Sequence, residues 1–90
     1  MSVIDNVIDK FKKLGYELDE DFTNENKIYF ENDKIIPHQI LIIEPQSVVK
    51  ESVRLNYLDK DWHMVYEPLP ITLEELQLIN RLLKLWGVEV

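Results

Sequence analysis

Residues 37–57 read PHQILIIEPQSVVKESVRLNY, and their pattern decides the fold. Pro37 opens a strand at 38–44 in which Ile40, Leu41, Ile42 and Ile43 form an unbroken apolar run. Such a run belongs to a strand buried on both faces or nearly so. Pro45, Gln46 and Ser47 supply turn chemistry. Residues 48–57 then alternate. Val49, Glu51, Val53, Leu55 and Tyr57 share one parity, and Val48, Lys50, Ser52, Arg54 and Asn56 share the other. The first set is apolar except for Glu51, so it is expected to face the core. A connection this short makes the two strands antiparallel neighbours.

Working outward, residues 27–31 are aromatic and branched, and Asn32-Asp33 follows as a turn, which predicts another short strand. Residues 16–26 form an acidic connection with room for a short strand at 16–18. Downstream, Asp59-Lys60-Asp61 reads as a solvated loop and 62–66 as a fourth, edge strand. Pro68 and Pro70 stop it, because proline cannot donate to a ladder.

A helix is expected at each end. At 2–14, Val3, Ile4, Val7, Ile8, Phe11 and Leu14 recur at spacings of three and four. Ser2 can cap this helix with Asp5 in its first turn, and Lys10, Lys12 and Lys13 complement the dipole in its last turns. Gly15 suits the left-handed residue that closes it. At 72–86, Thr72-Leu73-Glu74-Glu75 spells a capping box, and Gly87 ends the helix. Its apolar face, Leu73, Leu76, Ile79, Leu82, Leu83 and Trp86 widened by Leu78 and Leu85, covers about twice the usual arc of a little over 100°. The first helix packed alongside is the simpler cover. A partner chain is the other, with Leu78 and Leu85 as a dimer face. The expected architecture is one α+β domain over residues 1–90, α-β-β-β(-β)-α, a small antiparallel meander sheet with two helices on one face.

The chain has 90 residues, a net charge of −7 and no cysteine. A disulfide framework, a thiolate nucleophile and a cysteine zinc site are excluded. The negative balance argues against direct affinity for nucleic acid or anionic membrane. The longest apolar run, 40–43, is far short of the roughly 20 residues of a membrane span. The opening residues lack the apolar stretch of a signal peptide, so a cytoplasmic protein is expected.

Catalytic constellations are sparse. His38 and His63 lie 25 residues apart in sequence and form no ligand pair. The serines lack a nucleophile elbow, and Gly15 and Gly87 alone build no phosphate loop. Asp59 and Asp61 lack the glycine and bidentate glutamate of a calcium loop. A pocket using Trp62, His63 and Tyr66 rests on aromatic content alone. No cofactor and no metal are expected, and the chain does not read as an enzyme.

The charge, by contrast, is concentrated. Residues 17–33 hold seven acids and one lysine, whereas 73–86 hold two acids and two bases. Glu17, Asp19, Glu20, Asp21 and Glu25 are the candidate partner-binding residues. They give either a solubilising surface or a negative patch that meets a basic groove.

The runs Phe11-Lys12-Lys13-Leu14-Gly15-Tyr16, Ile28-Tyr29-Phe30, Ile71-Thr72-Leu73-Glu74-Glu75-Leu76-Gln77-Leu78-Ile79 and Leu85-Trp86-Gly87 together resemble small proteins of phages and prophages of Gram-positive bacteria. That family pairs an opening F-x-x-L-G-Y with a helix I-T-x-E-E-L-x-x-I ending near L-G-W; the last tripeptide here departs, reading Leu-Trp-Gly. The resemblance implies a mobile-element origin and no catalytic residues. With the acidic stretch, it leads to an expectation of a non-enzymatic accessory protein that contacts a host nucleic-acid-binding or defence protein. The alternative is an assembly module that dimerises through the C-terminal helix.

Overall fold

The computed structural model describes residues 2–88. Helix α1, Val3–Lys13, starts where Asp5 N–H donates to Ser2 Oγ at 3.1 Å. It ends at Leu14, after which Gly15 turns the chain with φ +102°. Strand β1, Glu17–Leu18, is followed by a single 3-10 turn, Glu20–Phe22. Strands β2, Ile28–Asn32, β3, His38–Glu44, β4, Ser47–Leu58, and β5, Asp61–Pro68, come next, and helix α2, Leu73–Leu85, closes the fold. The sheet is an antiparallel meander in the order β1-β2-β3-β4-β5.

The α+β architecture is the one the sequence leads to, and the capping box of α2 forms in full. Glu75 N–H donates to Thr72 Oγ1 at 3.1 Å, and Thr72 N–H donates back to Glu75 Oε1 at 2.9 Å. Both helices cover the same face. Val7 and Phe11 from α1 and Leu78, Ile79 and Leu82 from α2 meet Ile28, Phe30, Leu41 and Ile43 from the sheet. Ile28 stands opposite Ile43, and Phe30 opposite Leu41, so all four point the same way. Leu41 and its neighbour Ile40 are both buried, so β3 is covered on both faces there.

Two expectations are corrected. The residues of β4 that share the covered face are Val48 and Lys50, because they stand opposite Ile43 and Leu41. Val49, Glu51, Val53, Leu55 and Tyr57 therefore lie on the helix-free face. Alternation alone points to the wrong side, because Lys50 and Ser52 read as solvent-facing. The second correction concerns α2. Leu78 is 6% exposed and belongs to the core, so it cannot form a dimer face, while Leu73, Leu76 and Leu85 point outward. The sheet and α1 cover only part of the wide apolar arc of α2, the part carried by Leu78, Ile79 and Leu82.

Candidate interaction surface

β4 is twelve residues long and β3 is seven, and their pairing ends at Val53 opposite His38. Beyond that point β4 keeps only β5 as a neighbour. Residues 54–65 thus form a two-stranded arm that projects from the sheet. Asp59 and Lys60 close it with φ of +53° and +68°, the two positive values that a two-residue type I′ turn requires. The segment read as a loop is therefore a tight hairpin. Glycine or asparagine usually signals such a turn, and neither is present.

The register places the side chains. Val53 stands opposite Tyr66, Leu55 opposite Met64, and Tyr57 opposite Trp62. These six share the helix-free face. Val53 is buried at the root of the arm, and the other five are 51–66% exposed. Tyr57 and Trp62 pack ring on ring, with centroids 5.1 Å apart. The opposite side of the arm carries Arg54, Asn56 and His63, and Arg54 Nη2 donates to Glu67 Oε1 at 2.8 Å. His63 thus faces away from Trp62 and Tyr66, so these three do not converge on a pocket. Leu55, Tyr57 and Met64 were missed as site residues. The available signal was an apolar parity that continues across the turn from Leu55 and Tyr57 to Trp62, Met64 and Tyr66.

The open face changes character toward its other edge. Tyr29 packs on the exposed Phe22 with centroids 5.5 Å apart. Beyond them lies a shallow concavity lined by Glu17, Leu18, Asp19, Glu20, Asp21 and Glu31. Four of the five predicted acidic residues meet there. Glu25 does not, because it sits exposed in the turn between Asn24 and Lys27. Glu31 joins instead, standing directly opposite Glu17. Its carboxyl is held above the usual range by burial first and then by the Asp19 carboxylate, with His38 opposing the shift. Tyr29 is also pushed up, by burial and then by Glu31, Tyr66 and Asp19.

A second polar group lies on the covered side. Glu75 is 4% exposed. It accepts from the Tyr16 hydroxyl, from Lys50 Nζ at 2.8 Å and from Thr72 N–H. Burial alone would raise its carboxyl, but these donors outweigh burial and the net shift is downward. Tyr16 is pushed well above its ordinary value by burial and by its bond to Glu75. Each of these groups is satisfied by another, so the cluster ties the start of α2 to the sheet. Among the described residues, no group of three or more histidines or carboxylates is placed to hold a metal ion. No described helix is long and apolar enough to cross a membrane.

Comparisons with known families, with characterised proteins and with solved structures found no match.

Proposed function

We propose that this protein acts by contact with another protein and without catalysis, through the open face of its sheet. The carrying observation is the arm. Leu55, Tyr57, Trp62, Met64 and Tyr66 form one continuous apolar row, each more than half exposed. Exposed apolar patches of this size mark contact surfaces, and tyrosine and tryptophan are the side chains that most often anchor them.

The acidic edge adds a second element. Glu17, Asp19, Glu20, Asp21 and Glu31 crowd one concavity at the sheet edge farthest from the arm. Their mutual repulsion is relieved when a cationic group arrives, which favours a partner with a basic surface and speeds the encounter. The resemblance to phage and prophage proteins supplies a kind of partner for this edge: a host nucleic-acid-binding or defence protein whose basic groove accepts carboxylates in place of phosphates.

The test is affinity capture from lysate of the source cells, compared between the wild type and a Tyr57→Ser/Trp62→Ser variant whose circular dichroism is unchanged. Proteins held by the wild type and lost by the variant support the reading. Identical capture by both overturns it. A parallel variant with Asp19, Glu20 and Asp21 changed to lysine is expected to lose those partners that high salt also releases. Their retention would remove the acidic edge from the account.

A further inference from the structure

We infer that the occupant of the arm is a second copy of this chain, bound face to face about a two-fold axis. The inference rests on the open-face reading and names its partner. Three observations support it. The first is area. The five exposed side chains leave roughly 600 Å² uncovered per chain, from about 150–250 Å² for a large aromatic and somewhat less for an aliphatic. Two copies meeting through this row bury at most about 1,200 Å², a ceiling that reaches the roughly 1,000 Å² that a specific interface needs.

The second observation is charge. The chain carries −7, yet residues 54–65 balance Arg54 and Lys60 against Asp59 and Asp61. Two copies that meet elsewhere along the acidic part of the sheet would bring like charges together. Two that meet at the arm set the uncharged side chains of Leu55, Tyr57, Trp62, Met64 and Tyr66 against one another. The third is placement. Both helices lie on the other face, so no part of the described chain stands between the two rows. In an isologous pairing, Tyr57 and Trp62 at the tip of one arm meet Tyr66 at the root of the other, and Leu55 and Met64 lie near the axis. Such an axis runs across the strands, so both acidic edges lie on the same lateral side of the pair, one toward each end. A dimer built this way would offer two acidic sites to one partner and gain avidity from the pair.

Light scattering on the full chain, from micromolar to millimolar concentration, tests this. The expected result is a rise from the 10.8 kDa chain mass to twice that value. The Tyr57→Ser/Trp62→Ser variant is expected to raise the dimer dissociation constant by more than about tenfold with unchanged circular dichroism. Leu73→Ser/Leu76→Ser on α2 is expected to leave it unchanged. Since the chain has no cysteine, Met64→Cys gives an independent readout: oxidation should link two copies. A dimer that survives the arm variant, or that links through Leu73→Cys and not through Met64→Cys, overturns the inference. A wild type that stays at 10.8 kDa throughout also overturns it. If lysate capture still depends on the arm in that case, the open-face reading stands without the second copy; if capture is also arm-independent, both fall.

Discussion

Each face of the sheet carries some chemistry that a core or a surface usually excludes. The covered face keeps Asn32, Lys50, Ser52 and Glu75 among its apolar residues, and the open face displays Leu55, Tyr57, Trp62, Met64 and Tyr66. On the covered side this is resolved within the chain. Lys50, Tyr16 and the Thr72 N–H converge on Glu75, and none of the described buried side-chain polar atoms lacks a partner. On the open side no described element covers the arm row. The lesson is that misplaced chemistry has to be read by its partners. A buried charge with three donors is structure, whereas an exposed aromatic row without a cover is an invitation to another surface.

The contrast can be broken most severely at the core. Leu41→Ala, fully buried beneath both helices, is expected to lose about 4 kcal/mol of stability in urea unfolding. Trp62→Ala, measured in dilute solution, is expected to lose about 1 kcal/mol or less. Equal losses would mean that the arm is part of the folding core. Next comes Lys50→Met, which strips the cation from a buried carboxylate and is expected to lose about 3 kcal/mol at neutral pH. The same site sets a pH dependence. Because the folded Glu75 carboxyl lies below its ordinary value, its contribution is present above about pH 4 and is lost as pH falls through the folded value. Acid unfolding of Glu75→Gln should lack that step.

Two smaller effects sharpen the picture of the sheet edges. Lys60 has φ +68° at the tip of the arm, so Lys60→Gly is expected to stabilise by about 0.5 kcal/mol in thermal melts, against the usual sign for glycine. At the other edge, Glu31→Gln removes a partly buried charge and its repulsion from Asp19, and is expected to raise stability by roughly a few tenths of a kcal/mol at neutral pH. Its sign follows from the raised carboxyl: protonation in acid gives the wild type the same relief, so the difference should vanish at low pH.

Much of this fold was legible where the signals are local. Ser2, Gly15, the Thr72–Glu75 box and Gly87 mark the helix ends within a few residues of sequence. The apolar run of β3 announced a strand covered on both sides. What alternation could not reveal is which face of β4 the helices take, because the residue that makes Lys50 welcome there, Glu75, is 25 positions away. The arm escaped for a different reason. Its existence depends on β4 outrunning β3 by five residues and on a type I′ turn built from Asp59 and Lys60 without glycine. Of the acidic residues, the cluster was visible as density, but only the strand register adds Glu31 and sets Glu25 apart.

The central claim is that the open apolar row is the contact surface of this protein and that a second copy occupies it. The most direct test is a dilution series followed by amide NMR on the full chain. Shifts that move with concentration are expected at residues 53–66, while the amides of α2 around Leu73, Leu76 and Leu85 stay fixed. Spectra that do not change with dilution, or changes centred on α2, would contradict it.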